Sequence, residues 1–169
     1  MYSSYFSINH TGTTGQTTTV TCNTGYSGSG TATCGTNGQF NTLTCTANSC
    51  TATEVVNSNK ATAESITGTT GQTVVVTCDP GFTGSGSTTC STSGTFTSLP
   101  TCIGNTCTPT GNVANSNKAT TESITGTTTK SVTVTCNAGY IGTGTTTCQA
   151  DGTFSTLPTC VACELGKYN

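Results

Sequence analysis

The stretch that decides the fold covers residues 71–102 and reads GQTVVVTCDPGFTGSGSTTCSTSGTFTSLPTC. Its three cysteines are spaced twelve residues apart. Val74, Val76 and Cys78 would share one face of an extended strand, because side chains alternate between the two faces. Pro-Gly and Gly-x-Gly pairs after Cys78 mark turns. Strands this short, with turns this frequent, predict a small all-β module.

The same pattern recurs on both sides of this stretch, in residues 15–45 and 129–160. Matching cysteines are offset by 56 residues (Cys22 to Cys78) and by 58 residues (Cys78 to Cys136). A fixed period of this size is typical of an array of modules. Although a chain of 169 residues could form one domain, the repeat therefore predicts three modules.

Each module has few large apolar side chains, so burial of apolar surface alone cannot make it stable. Disulfides are the expected remedy, since closing loops of roughly 25 and 40 residues contributes about 3.5 to 4 kcal/mol each in the chain-entropy model. Twelve cysteines predict an oxidising compartment outside the cytoplasm. Their spacing does not resemble a zinc site, because the single CxxC pair, Cys160 and Cys163, has no second pair. No metal and no cofactor is expected.

Composition restricts the partners of the chain. Charged residues make up 6 % of the sequence, against roughly 25 % in ordinary soluble domains. A formal charge of −2 gives no basic surface for nucleic acid, and no stretch is long enough to span a membrane. Thr and Ser make up roughly two residues in five. Their hydroxyls predict either O-linked sugars or an assembly that does not require solubility, and these interpretations are compatible.

The cysteine pattern resembles the sushi family, also called complement control protein or short consensus repeat modules. The resemblance rests on a wide first cysteine gap, Gly-Tyr or Gly-Phe after the second cysteine, and Leu-Pro-x-Cys at the end. Phenylalanines stand where the family usually carries Trp. The resemblance implies an all-β chain of tandem small disulfide-stapled modules arranged end to end. The segments are 1–45, which lacks its first cysteine, 50–102, 107–160, and a tail, 161–169, that resembles the start of an ephrin-receptor-like Cys-rich repeat.

Three disulfide pairings per module are possible from sequence alone, and the resemblance implies that the first cysteine pairs with the third and the second with the fourth. The implied bridges are Cys50–Cys90, Cys78–Cys102, Cys107–Cys148, Cys136–Cys160 and Cys22–Cys45. Cys34 and Cys163 are left over. Either Cys163 of one molecule pairs with Cys34 of the next, which would give a head-to-tail covalent polymer, or each pairs with a cysteine outside this segment of a longer chain.

No catalytic constellation is present in the sequence. The single histidine, His10, has no acid or nucleophile beside it, and no Gly-rich stretch leads into a helix as a phosphate-binding loop does. A protein without enzymatic activity is predicted.

The predicted function is structural: an extracellular or cell-surface rod of repeats that forms part of a fibre, surface appendage or matrix. The near identity of the copies favours this function, because recognition surfaces usually carry distinct aromatic or charged anchors. The alternative is an adhesion or ligand-binding ectodomain. Expected partners are further copies of the chain, other extracellular proteins and covalent glycans, with Asn9 of the sequon Asn9-His10-Thr11 as one candidate site.

Overall fold

The computed structural model describes residues 12–163. Within that range the chain forms two compact units. The first comprises residues 12–55, 60–76 and 86–100, and the second comprises residues 56–59, 77–85 and 101–163. Each unit therefore contains part of the central repeat.

The described residues form short strands and no helix. The prediction of an all-β chain of disulfide-stapled modules is confirmed. The strands are β1 (Thr17–Val20), β2 (Tyr26–Ser27), β3 (Gly30–Thr33), β4 (Thr46–Ala47), β5 (Thr73–Val76), β6 (Phe82–Thr83), β7 (Gly86–Thr89), β8 (Ile103–Gly104), β9 (Ser131–Val134), β10 (Tyr140–Ile141), β11 (Gly144–Thr147) and β12 (Val161–Ala162).

Every repeat pairs its strands in the same way. A four-residue antiparallel pair comes first (β1 with β3, β5 with β7, β9 with β11), and a two-residue antiparallel pair follows it (β2 with β4, β6 with β8, β10 with β12). The registers are equivalent, since Val20 pairs with Gly30, Val76 with Gly86 and Val134 with Gly144. β1 to β5 and β7 lie in the first unit, and the other strands lie in the second.

Alternation along the first strand of each repeat separates a buried face from an exposed one. Val20, Val76 and Val134 are buried, with exposed fractions of 6 %, 0 % and 0 %. Val75, on the opposite face of β5, is 64 % exposed. This is the two-residue period expected of a strand with one face buried.

The buried interior is small. In the second unit, Val113, Ile124, Val134 and Cys160 form the buried core. Side chains packed against it are Val132, Cys136, Tyr140, Phe154 and Leu157. In the first unit, Ile66 and Val76 are the largest fully buried side chains. Cores of this size leave much of the stability to covalent cross-links.

Threonine also contributes to the interior. Thr88 on β7 is 1 % exposed and Thr146 on β11 is 0 % exposed. Their hydroxyls donate to the carbonyl oxygens of Thr97 (3.0 Å) and Ser155 (2.8 Å). Because a buried hydroxyl is unfavourable only when it lacks a partner, a Thr-rich sequence can fill these positions.

Five disulfides lie within the described chain. They are Cys22–Cys45 and Cys50–Cys90 in the first unit, and Cys78–Cys102, Cys107–Cys148 and Cys136–Cys160 in the second. Cys34 and Cys163 are free thiols, the first buried and the second exposed. A half-buried phenylalanine forms a β-bridge with the third cysteine position of each repeat: Phe40 with Cys34, Phe96 with Cys90, and Phe154 with Cys148.

Candidate functional site

The described residues contain no candidate metal centre. Within residues 12–163, no three His, Cys, Asp or Glu side chains converge as metal ligands would. A pocket of about 260 Å³ in the second unit is lined by Thr108, Pro109, Thr110, Thr153, Phe154 and Leu157. This lining has no titratable side chain, so it offers no proton donor or acceptor for catalysis. The sequon at Asn9 and the single histidine lie outside the described residues.

The contact between the first and second repeats lies within the first unit and is built around Thr70. The Thr70 hydroxyl donates to the carbonyl oxygen of Gly25 at 2.8 Å, and the Thr70 amide donates to the carbonyl oxygen of Asn48 at 2.9 Å. The Asn48 amide in turn donates to Gly25 O at 2.8 Å. Thr70 is 9 % exposed, so these polar groups are satisfied where little water reaches them.

The contact between the second and third repeats lies within the second unit and repeats this arrangement. The Thr128 hydroxyl donates to Gly81 O at 2.7 Å, and the Thr128 amide donates to Asn105 O at 2.9 Å. The Asn105 amide donates to Gly81 O at 2.8 Å. Thr128 is 4 % exposed. Two faces therefore meet at each junction. We call one the glycine face; in the first, second and third repeats it consists of Gly25 with Asn48, Gly81 with Asn105, and Gly139 with Cys163. We call the other the threonine face; in the same order it consists of Thr14 with Thr36, Thr70 with Thr92, and Thr128 with Ala150.

Only glycine fits the centre of a closed junction. A Cβ atom on Gly25 would lie 2.8 Å from Thr70 Cγ2 and 2.9 Å from Thr92 Cα. On Gly81 it would lie 2.7 Å from both Thr128 Cγ2 and Ala150 Cα. Both glycines also have positive φ angles, 87° and 84°, which glycine adopts without a steric penalty.

Residues 50–102 match the family model of the Sushi repeat (SCR repeat). Sushi repeats are a family of non-enzymatic, extracellular protein-interaction modules. The matched segment contributes a face to each junction, since it carries both Thr70 and Gly81. No curated protein matches the chain.

Several sequence predictions go beyond this match. The division into modules 1–45, 50–102 and 107–160 stays a prediction, as does the ephrin-receptor-like character of residues 161–169. Cell-surface placement also stays a prediction, whereas a Sushi repeat with several disulfides is typical of extracellular proteins. Across residues 12–163, no helix has the length and apolar character needed to cross a membrane.

The two leftover cysteines have different surroundings. Cys34 is 1 % exposed, and Cys163 is exposed. The Cys163 amide donates to Gly139 O at 3.0 Å, which is the bond that Asn48 and Asn105 make in the other two repeats. Cys163 therefore occupies the position of these asparagines, two residues before the position of Cys50 and Cys107.

Sequence reasoning did not single out the junction residues. Thr70 and Thr128 are two among many threonines, and no local pattern distinguishes them from exposed ones. The detectable signal was positional, because Thr14, Thr70 and Thr128 recur with the offsets of 56 and 58 residues that separate the cysteines.

Gly81→Ala is expected to destabilise the second unit by about 1 to 3 kcal/mol more than Gly139→Ala, because its methyl group would overlap the backbone of the next repeat. Gly139 is a matched control with φ 85°, and no described atom lies within 4 Å of its added Cβ. Urea denaturation followed by circular dichroism measures both variants. Equal losses would show that the junction tolerates a methyl group.

Asp151 makes the stability of the fold depend on pH, and the direction of its pKa shift gives the sign. The hydroxyl of Thr153 (2.7 Å) and its amide (2.9 Å) donate to the Asp151 carboxylate and lower its pKa below the ordinary value. The bonds therefore stabilise the fold above the pKa of unfolded Asp, about 3.9, and this contribution is lost as the pH falls through the lower folded-state pKa.

The variant Asp151→Asn should consequently lose less stability than the parent when the pH is lowered from about 6 to about 2. An asparagine fits here, since Asn37 holds the equivalent position in the first repeat and accepts a bond from the Gln39 amide at 3.1 Å. Thermal unfolding at the two pH values provides the measurement. The same pH-dependent loss in both proteins would contradict the assignment.

Proposed function

We propose that this chain is a structural protein of the extracellular space, a rod-like array of Sushi-like repeats that forms part of a fibre, a surface appendage or a matrix. The observation that carries the proposal is the recurrence of one junction: Thr70 donates to Gly25 O and Thr128 to Gly81 O, with the same accompanying backbone bonds. A repeated, buried contact between neighbours is the organising feature of solenoid and array proteins.

The linkers support the same function. Four residues separate Cys45 from Cys50, and four separate Cys102 from Cys107. Each of these cysteines is held in a disulfide. A four-residue linker fixed at both ends, with its Asn bonded to both faces of the junction, permits little hinge motion. Load applied along the array would pass through covalent bonds and buried contacts.

The exposed surface suits an assembled and glycosylated material. Hydroxyls pair across exposed strand positions, as in Thr73 with Thr89 (2.9 Å) and Ser131 with Thr147 (2.8 Å). With charged residues at 6 %, copies repel one another weakly. We propose that O-linked sugars occupy part of this hydroxyl surface.

A second candidate function is adhesion or ligand binding by an extracellular protein. The observation that favours it is an exposed apolar pair, Ile141 with Val161, which are cross-strand partners on β10 and β12 and are 57 % and 52 % exposed. The equivalent pair in the first repeat is Ser27 with Thr46. Exposed apolar side chains that adjoin one another are more suggestive of a contact surface than isolated ones.

Electron micrographs of the native material distinguish the two functions. Uniform fibres would support the structural function, and discrete receptor-like particles would support adhesion or ligand binding. As a matched variant, Ile141→Thr with Val161→Thr gives the third repeat a polar pair like that of the first. It should leave fibres unchanged but abolish capture of an extracellular partner.

Intact mass spectrometry tests the sugars. A mass excess over 16.9 kDa that disappears on enzymatic removal of O-glycans would support them. A mass equal to that of the bare chain would rule them out on this segment.

The intermolecular disulfide between Cys34 and Cys163 stays a proposal with defined requirements. Because Cys163 occupies the Asn48 position, its strand would have to shift by two residues to bring the sulfur to the position that Cys50 takes opposite Cys90. Cys34, at 1 % exposure, would also have to be uncovered, since thiol exchange requires access. A ladder on a non-reducing gel that collapses on reduction would support the bridge. A free Cys34 thiol in the native protein would exclude it.

A further inference from the structure

A tight turn of the same geometry follows the third cysteine position of every repeat. In the first repeat the Gly35 amide donates to Gln39 O at 2.8 Å, and the Gly38 amide donates to Gly35 O at 3.0 Å. The equivalent pairs of bonds occur within residues 91–95 and 149–153. A glycine with a positive φ angle takes the fourth position of each turn. These glycines are Gly38, Gly94 and Gly152, with φ angles of 77°, 81° and 84°.

The residue before this glycine differs between the repeats. It is Asn37 in the first, Ser93 in the second and Asp151 in the third, and all three are exposed. Ser93 and Asp151 are exposed although a preceding repeat packs against each of their repeats, so exposure is a property of the turn itself. The first repeat therefore presents an Asn-Gly pair to water, a pair in which the side-chain amide lies next to an unhindered backbone nitrogen.

We propose that Asn37 is a site of covalent modification, at which the side-chain amide becomes a carboxylate through a cyclic imide. The Gly38 nitrogen attacks Asn37 Cγ, the bond from Cγ to Nδ2 breaks, and Nδ2 leaves as ammonia with the proton that the Gly38 nitrogen loses. Water then adds to the imide. Addition at Cγ breaks the new bond and gives aspartate, and addition at the main-chain carbonyl gives isoaspartate. Water is the only co-reactant, and no group is oxidised or reduced.

The geometry of the turn favours the first step. Asn37 Oδ1 accepts a hydrogen bond from the Gln39 amide at 3.1 Å, which folds the side chain back over the intervening Gly38 amide. The same bond draws electron density from Cγ and makes it more electrophilic. The bond from the Gly38 amide to Gly35 O has to open before attack. An exposed turn is a region in which such local opening requires little free energy.

The third repeat shows that the turn accommodates the product. Asp151 accepts a hydrogen bond from the Thr153 amide at 2.9 Å, in the position where Asn37 accepts from the Gln39 amide. A carboxylate in this place makes a charge-assisted bond, which is stronger than the bond of a neutral amide. The modification also adds one negative charge to a chain of formal charge −2, so copies of the modified chain repel one another more strongly.

The test incubates the full chain in water enriched in heavy oxygen at mildly alkaline pH, followed by acid-protease peptide mapping and ion-exchange chromatography. The peptide that contains Asn37 and Gly38 is expected to gain the mass difference between an amino group and a heavy hydroxyl group, and a more acidic species is expected to appear. Asn37→Ser, which introduces the residue of the second repeat, should abolish both changes. Ser93→Asn places the same pair before Gly94 and should produce both changes in the second repeat.

Intact mass and circular dichroism establish that each variant keeps its five disulfides and its fold. Asn48 and Asn115, each followed by serine, serve as internal references and should react more slowly than Asn37. An unmodified Asn37, rates equal to those of the references, a mass gain without heavy oxygen, or an unreactive Ser93→Asn variant would each overturn the inference. Because the modification does not require assembly, these outcomes leave the proposed structural function in place, and native micrographs test that function separately.

Discussion

Removal of the Cys107–Cys148 disulfide, by replacing both cysteines with Ala, is expected to lower the stability of the second unit by about 2 to 5 kcal/mol. The bridge closes a separation of 41 residues, and both cysteines are 1 % exposed. Its loss therefore adds chain entropy to the unfolded state and leaves space in the interior.

A loss of this size approaches the whole stability of so small a module. Apart from disulfide cysteines, the buried apolar residues in the described part of the second unit are Val113, Ile124 and Val134, so no large apolar interior compensates. We expect β9 and β11 to lose amide-exchange protection at 25 °C while β1 and β3 keep theirs. Hydrogen exchange measured by NMR on the full chain reports the protection of these two strand pairs separately.

The control for this prediction is Cys163→Ala, which removes an exposed free thiol and should change stability by about 0.5 kcal/mol or less. Unchanged protection of β9 and β11 in the double-alanine variant would mean that the apolar core alone stabilises the third repeat.

Ile124→Ala is expected to destabilise the second unit by about 2 to 5 kcal/mol. Ile124 is 0 % exposed and belongs to the buried core with Val113 and Val134. Its backbone bonds to Thr110, at 2.7 and 3.0 Å, are kept in the variant. The loss therefore reports side-chain burial and the cavity left behind.

The same substitution at Ile141, which is 57 % exposed, provides the control and should cost about 0.5 kcal/mol or less. Urea unfolding curves of both variants give the comparison, with the slope checked for constancy. Similar unfolding midpoints for the two variants would show that burial of the Ile124 side chain does not stabilise the second unit.

The fold class could be predicted from the sequence because its determinants are local. The alternation that ends in Val20, Val76 and Val134, and the turns that follow, specify strands without reference to distant residues. The burial of Thr88 and Thr146 could not be predicted in this way. A threonine is equally compatible with an exposed strand position, and only the tertiary placement of Thr97 and Ser155 provides the acceptors that permit burial.

The junction residues could not be predicted from local sequence patterns for a related reason. Gly81 and Gly139 each lie three residues after a disulfide cysteine and have φ angles within one degree of each other, 84° and 85°. Among the described residues, however, only Gly81 has a neighbouring repeat against it. The cysteine spacing likewise suggests that Cys163 is equivalent to Cys50. The hydrogen bond from the Cys163 amide to Gly139 O shows instead that Cys163 is equivalent to Asn48. Both distinctions depend on contacts between repeats.

The composition of the junction has an evolutionary consequence. Its bonds use a glycine carbonyl, the backbone of a linker residue and one threonine hydroxyl, and every repeat carries its own glycine and threonine for them. Duplication or deletion of a whole repeat through unequal recombination would thus leave each remaining interface chemically unchanged. We therefore expect such an array to tolerate the gain or loss of a whole repeat at the level of its interfaces.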